Sequence, residues 1–274
     1  NPIKAFSEGN MLQIIFFAVF FGISLNMLKD NNKKMKDAFN NLNELFLKLV
    51  EIIMCFAPYG VFFLIFKTFF NQGFDVIFDL GAYFFTVIAV LIFHMFVTYG
   101  SLLFLLTKID LRKFYYKMRN TMLFAFSTSS SAATIPITLK TVEKELAVDK
   151  SVASFTVPLG ATINMDGTAI MQGVATVFIA NTYNIDLTTV DYLSVIMVAT
   201  LASIGTAGVP GVGLIMLTMV LNQVGLPAEG IALIIGIDRL LDMTRTAVNV
   251  TGDAAISCIV GKLENKINLT KTNS

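Results

Sequence analysis

The sequence predicts an all-α integral membrane protein in which two segments enter the bilayer and return as re-entrant helical hairpins, arranged as inverted repeats. Three observations carry this. Of 274 residues, 55% are hydrophobic and 14% charged, where a soluble domain carries about 25% charged residues. The apolar residues fall in long runs, which favours helices over a β-barrel. Lys and Arg crowd some connections and leave others bare, and two apolar blocks are interrupted in their middles by clusters of Ser, Gly and Pro.

The apolar blocks lie near 11–28, 46–70, 77–107, 121–139, 151–182, 190–222 and 227–261. Lys29, Lys33, Lys34 and Lys36 follow the first. Lys108, Arg112, Lys113, Lys117 and Arg119 follow the third, and Lys140, Lys144 and Lys150 follow the fourth. Connections 183–190 and 222–230 hold no Lys or Arg. By the positive-inside rule, basic connections are cytoplasmic and bare ones external. Block 121–139 is basic on both sides, so it enters and returns, with Ser129-Ser130-Ser131-Ala132-Ala133-Thr134-Ile135-Pro136 as its tip. Block 190–222 is bare on both sides and returns to the outer face, with Ser203-Ile204-Gly205-Thr206-Ala207-Gly208-Val209-Pro210-Gly211 as its tip. Irregular backbone at membrane depth is tolerated only where it lines a cavity or is buried in protein.

The tips share a pattern: Ser129-x-x-x-Ala133-x-Ile135-Pro136 matches Ser203-x-x-x-Ala207-x-Val209-Pro210. A span with mid-membrane Asn and Asp follows each one. Hairpin then span, twice and in opposite orientation, places ligand sites at the midplane. Close packing through small residues explains the Ser and Gly but not the charge asymmetry.

The last block carries the chemistry. Asp238, Arg239, Asp242, Arg245 and Asp253 put five charges into an apparent membrane helix. At 100° per residue, positions 238, 242, 245, 249 and 253 fall within about 80° of arc. A charge at the bilayer centre costs roughly 2.5–3.5 kcal/mol on insertion scales, so this stripe faces a cavity or a partner. Arg245 suits a carboxylate through two parallel hydrogen bonds, which Lys does not imitate. Asp242 suits an ammonium, and Asn249 and half-helix N-termini suit a second carboxylate. A purely structural Asp242–Arg245 bridge is the plain alternative.

Cys55 and Cys258 sit in apolar segments and read as buried thiols, and His94 reads as a satisfied packing residue. With so few His and Cys, a His/Cys metal site is not expected. A net charge of +1 says nothing about partners; no nucleic acid partner and no enzymatic activity are expected. An intramembrane aspartyl protease using Asp166 and Asp253 lacks the Gly-x-Gly-Asp motif. A Ser–His protease lacks Gly-x-Ser-x-Gly. The chain starts at Asn1 without a signal pattern and is expected to be a partial sequence; an inert fragment is one further reading.

Four motifs in order, Ser129-Ser130-Ser131, Asn164-Met165-Asp166-Gly167-Thr168, Gly205-Thr206-Ala207-Gly208-Val209-Pro210-Gly211 and Asp242-x-x-Arg245-Thr246-x-x-Asn249-Val250-x-Gly252-Asp253, resemble the dicarboxylate/amino acid:cation symporter family, the glutamate and aspartate transporters. The resemblance implies a glutamate-transporter-like fold without its first three spans. It implies a homotrimer in the plasma or inner membrane, with a cytoplasmic C-terminus. Residues 1–72 would form scaffold and trimer contacts. Residues 73–265 would form a moving transport domain, with spans 77–107, 151–182 and 227–261 and hairpins 121–139 and 190–222; 266–274 would be a tail.

The same resemblance implies sodium-coupled import of aspartate or glutamate by an elevator-type mechanism. It assigns the substrate to Ser129, Ser131, Thr168, Val209, Gly213, Asp242, Arg245, Thr246 and Asn249. One sodium ion would lie among Gly160, Asn164, Asn249 and Asp253, and a second among Thr162, Met165, Ser203, Ile204 and Thr206. A third would use Asn164 and Asp166 with ligands from a span outside this chain. Gln172 stands where proton-coupled relatives place Glu, so proton cotransport is not expected. Relatives carry a further Arg at the positions of Ser129 or Met243; Arg239 is the candidate replacement, and Asp238 has no assigned role. A proton-coupled C4-dicarboxylate carrier is the runner-up, disfavoured because a dicarboxylate offers Asp242 no ammonium. A neutral amino acid would leave Arg245 without a carboxylate.

Overall fold

The computed structural model describes residues 1–8, 11–28, 33–72, 76–204, 206 and 208–272. Among these the fold is helical throughout, apart from one isolated antiparallel bridge between Val148 and Ile267. The chain divides into two compact units, Asn1–Lys67 and Thr68–Ser274.

The first unit comprises α1 (Pro2–Glu8), α2 (Met11–Met27) and most of α3 (Lys33–Gln72). Proline suits the first helical position of α1 because its missing N–H is unpaired there anyway. Phe16, Phe20, Ile23, Phe56 and Phe62 are exposed. Cys55 lies exposed on α3 while Cys258 is buried, so the expectation of two buried thiols holds only for Cys258.

The second unit opens with α4 (Val76–Phe93), a π-helical turn (His94–Tyr99) and α5 (Gly100–Thr107), which run on without a break. Phe78–Thr107 is the one run among the described residues long and apolar enough, by length and composition, to cross a membrane. Phe85, Ile92, Phe93, Phe96 and Leu105 point outward from it and are exposed.

The first helical hairpin is α6 (Leu111–Thr128) and α7 (Ser131–Lys140). Its first arm starts at Leu111 rather than at 121. Asp110 caps α6 by accepting from the Arg112 N–H at 2.9 Å. The basic residues of 112–119 lie on the helix itself rather than before it. The expected tip shrinks to Ser129 and Ser130, with Pro136 inside α7. Then come α8 (Lys150–Ile163) and α9 (Asp166–Thr182), one expected span broken at Asn164 and Met165. The second hairpin is α10 (Thr189–Ile204) and α11 (Val212–Gln223). Of its expected tip, Gly205 and Ala207 lie outside the described residues. A 3₁₀ turn (Ala228–Gly230) leads into α12 (Ile231–Leu263), which is unbroken, and α13 (Leu269–Thr272) ends the described chain.

Two apolar cores flank α12. One joins α4, α9, α10 and α11 through Val87, Leu91, Ile179, Val198, Leu221 and Ile234. The other joins α5, α6 and α8 through Leu103, Phe114, Met118, Val157, Val250 and Cys258. Helix α12 supplies Ile234, Leu241 and Val248 to the first and Val250, Ala254 and Cys258 to the second. Its polar stripe therefore runs where the two cores meet, and burial of about 25 cal/mol per Å² of apolar surface on both sides holds it there.

Candidate functional site

All five residues of the predicted stripe lie on α12, and four of them are almost wholly buried: Asp238 (3% exposed), Arg245 (1%), Asn249 (3%) and Asp253 (2%). Arg245 is the centre. Its Nη1 donates to Asp238 Oδ1 at 2.9 Å and its Nη2 to Asp242 Oδ1 at 2.8 Å, with a longer contact of 3.4 Å from Nη2 to Asp238 Oδ2. Asp238, which had no role, is thus a second partner of Arg245 beside Asp242. Arg239 is exposed. It sits about 100° round the helix from Asp238. Among the described residues, Arg245 Nε and the Ser129 hydroxyl are buried without hydrogen-bond partners. Each is a donor that a carboxylate would satisfy, since leaving a buried polar group unpaired costs roughly 1–3 kcal/mol.

The hairpin tips close on this centre. Asp242 Oδ2 accepts from the Gly211 N–H at 3.1 Å, and Gly211 has φ 81°, a left-handed conformation open to glycine. The Ser130 hydroxyl donates to Gly208 O at 2.7 Å, and the Ala132 N–H reaches the same oxygen at 3.2 Å. The same Ser130 oxygen accepts from Ala133 N–H, capping α7. Ser129 adopts φ 52° to make the turn. A side chain on Gly208 would press on Ala161 O, Ala132 N and Met165 Cε. The two tips therefore meet each other and the break in α8–α9. Val209, the next residue, is half-buried, and Ser131 is buried.

Thr168 and Gly213 stand beside the guanidinium. A Cβ on Gly213 would lie 3.2 Å from Thr168 Cγ2 and 3.5 Å from Arg245 Nη2. Gln172 is buried and donates to Gly213 O at 3.3 Å, while its own Oε1 has no partner. Thr246 donates to Asp242 O at 2.8 Å. Thr168, Gly213, Asp242, Arg245 and Thr246 are thus brought together, with the Ser129–Ser131 tip joined to Gly208.

The expected cation residues cluster at the helix break. Asn164 Nδ2 donates to Asp253 Oδ1 at 2.9 Å and to Asn249 O at 3.1 Å. Asn249 Oδ1 accepts from Gly167 N–H at 2.8 Å, and its Nδ2 meets Met165 Sδ at 3.3 Å. Gly160 leaves room for Asp253: a Cβ there would be 2.5 Å from Oδ1. The Asn249 carbonyl and the Asp253 carboxylate thus converge on the Asn164 amide nitrogen, and oxygens of these two kinds are the hard donors that alkali and alkaline-earth cations favour. The second expected group differs in detail. The hydroxyls of Thr162, Ser203 and Thr206 donate back to Leu159 O, Thr200 O and Ala202 O of their own helices, and Ile204 is exposed. What these residues offer is backbone carbonyl at two helix ends.

Two residues absent from the expected set reach the site. Asp166 Oδ2 accepts from the Tyr99 hydroxyl at 2.6 Å and lies 3.0 Å from His94 Nε2. His94 is satisfied, as its isolation suggested, but by a site residue rather than by packing. A His and a Tyr five apart in an apolar run were the available signal.

The model of the sodium:dicarboxylate symporter family matches residues 1–263. The chain is 41% identical to excitatory amino acid transporter 3 of Mus musculus over 266 residues, covering 96% of this chain and 51% of the relative. It is 41% identical to excitatory amino acid transporter 1 of Ambystoma tigrinum over 96% of this chain and 49% of the relative. It is 40% identical to excitatory amino acid transporter 2 of Homo sapiens over 91% of this chain and 44% of the relative. The chain spans about half the length of the curated relatives it matches.

Proposed function

The chain belongs to the sodium:dicarboxylate symporter family, and from that premise we propose that it carries the substrate and ion sites of a secondary transporter importing an acidic amino acid with sodium. The observation that carries the reading is the buried Arg245, set between two carboxylates and beside the Asn164–Asn249–Asp253 cluster. An acidic amino acid has two carboxylates and one ammonium. Arg245 takes the side-chain carboxylate, drawing on the donor at Nε, and Asp242 takes the ammonium. Asn249 and the N-terminal backbone of the tips take the α-carboxylate.

Sodium, the driving cargo, binds at Asn249, Asp253, Gly160 and Asn164, at the carbonyl ends around Thr162, Met165, Ser203, Ile204 and Thr206, and at Asp166. Its charge balances carboxylates that the membrane interior disfavours. Sodium and substrate raise each other's affinity by the same factor, because coupling is reciprocal. Ser129, Ser130 and Ser131 form the fixed tip, and Gly208–Gly211 the tip that opens to admit the substrate. Within a trimer in the plasma or inner membrane, with the C-terminus cytoplasmic, residues 73–265 move as the transport domain against a scaffold that includes 1–72. The exposed apolar face of Phe78–Thr107 supports a lipid-facing surface. Gln172 has no ionisable proton, which supports coupling to sodium without an obligatory proton.

Uptake of radiolabelled aspartate by the intact protein in liposomes tests this. We expect accumulation with an inward sodium gradient, none with choline, and weak competition by succinate. Uptake that ignores sodium and follows a proton gradient would return the reading to a proton-coupled dicarboxylate carrier.

A further inference from the structure

We propose that Tyr99 is a further cation-site residue, its hydroxyl oxygen contributing to the sodium position that Asp166 and Asn164 frame; this rests on the sodium-coupled reading above. Tyr99 is buried, and its hydroxyl touches two site residues at once: Asp166 Oδ2 at 2.6 Å and Asn164 Oδ1 at 3.3 Å. A phenol has one proton and two lone pairs. The short, charge-assisted contact to the carboxylate takes the proton. The longer contact then sets the phenolic oxygen against the amide oxygen of Asn164, two acceptors facing each other. Asn164 turns its Nδ2 the other way, to Asp253 and to Asn249 O, so the amide orientation is fixed. Oxygens of Tyr99, Asn164 and Asp166 thus face one position, and a cation is what such an arrangement satisfies.

The delivery of Tyr99 is built into the backbone. His94 and Tyr99 both reach Asp166 Oδ2, and their rings meet edge to face with centroids 4.6 Å apart. In an α-helix, residues five apart point about 140° away from each other. The π-helical turn His94–Tyr99 closes i to i+5 and brings both to one face. Such turns are rare and concentrate at functional sites. The opposite wall is prepared too. A Cβ on Gly252 would collide with the Tyr99 hydroxyl and ring and lie 2.6 Å from Asn164 Nδ2. Helix α12 therefore leaves out a side chain at the level where the phenol enters. The third ion position gains a ligand from within this chain, in addition to any from elsewhere.

The test is Tyr99→Phe in the intact protein, which keeps the ring and removes one oxygen. Aspartate binding is titrated with sodium in detergent, alongside sodium-induced thermal stabilisation without aspartate. We expect the half-saturating sodium concentration to rise about five- to tenfold, the scale of one lost hydrogen-bond-strength interaction. Sodium-induced stabilisation should shrink, and aspartate affinity at saturating sodium should stay within about twofold, since that readout leaves out the ion term. Gly252→Ala, which pushes the phenol out from the other side, should move the sodium requirement the same way. An unchanged sodium requirement in Tyr99→Phe overturns the proposal alone. Loss of aspartate affinity at saturating sodium also overturns it, because it marks a packing role. Wild-type binding that is indifferent to sodium overturns the sodium reading itself and this proposal with it.

Discussion

Asp238 holds Arg245 from seven residues earlier on the same helix, with the guanidinium reaching its two carboxylate oxygens at 2.9 and 3.4 Å. Asp242 takes the remaining reach of Nη2 at 2.8 Å. The cation is thus clamped between two anions one turn apart, all on α12. The arrangement fixes where the guanidinium can point before any ligand arrives, which lowers the ordering cost of binding.

Asp238→Asn keeps the shape and removes the charge. Breaking a buried pair costs roughly 3–5 kcal/mol, and the surviving Asp242 contact places this case near the lower end. The melting temperature should fall, and aspartate affinity should fall with it as Arg245 loses its aim. Arg245→Lys should not rescue either property, because an ammonium does not span two carboxylates in a fixed plane. An unchanged melting curve for Asp238→Asn would count against the clamp.

Gly160→Ala tests the seat of Asp253. The added methyl would stand 2.5 Å from Oδ1 and 2.8 Å from Cγ of that carboxylate, so the carboxylate must shift. Helix propensity alone predicts a gain of about 1 kcal/mol for Gly→Ala. Gly173 on α9 is the control, with nothing within 4 Å of its would-be Cβ. Gly173→Ala should be neutral or stabilising. Gly160→Ala should raise the sodium requirement about tenfold, read by sodium titration of aspartate binding. Equal behaviour of the two variants would show that Asp253 is free to move.

Ser130→Ala removes a cap and a cross-link together. The hydroxyl accepts from Ala133 N–H at 3.1 Å and donates to Gly208 O at 2.7 Å. Losing the cap costs about 1 kcal/mol, and losing the bond to Gly208 loosens the second tip against the first. Hydrogen exchange should rise at the Gly208–Gly211 backbone as well as at the start of α7. A rise confined to α7 would mean that the contact between tips contributes nothing.

Asp149 offers a pH test outside the membrane segments. The Ser151 hydroxyl, at 2.6 Å, and the Ser151 N–H, at 2.8 Å, hold its carboxyl below the usual carboxylate range. A carboxylate whose pKa is depressed on folding stabilises above its unfolded pKa of about 3.9, and that contribution fades as pH falls through the folded value. Asp149→Asn should therefore melt below wild type at pH 7, and the gap should close in acid below about pH 4. A gap that is constant with pH would assign the difference to shape rather than charge.

The helices and the two hairpins were legible because apolar runs, bare connections and Ser/Gly/Pro clusters report solvent and backbone directly. The arc from Asp238 to Asp253 was legible for the same reason, since an unbroken helix makes angular position a matter of counting. Where the helix departs from 3.6 residues per turn, counting fails. Tyr99 and His94 share a face only through the π turn, and no composition signal announces that turn. The role of Asp238 was hidden for another reason. Spacing put it on the right stripe, but i, i+3 proximity pointed to Asp242, and only the geometry of the guanidinium shows that an i, i+7 partner shares it. The start of α6 was misplaced because basic residues were read as a boundary, although Lys and Arg are good helix formers.

Helix α12 runs from Ile231 to Leu263 without a break, so the 15 steps from Asp238 to Asp253 form a stiff ruler about 22 Å long. Anion clamp, amide and terminal carboxylate are graduations on one rod. Any displacement of that rod transports the whole electrostatic pattern at once, with its internal spacings unaltered. Nothing on it is handed from one site to another along the way; what must change between the two sides of a barrier is the company the rod keeps, not the rod.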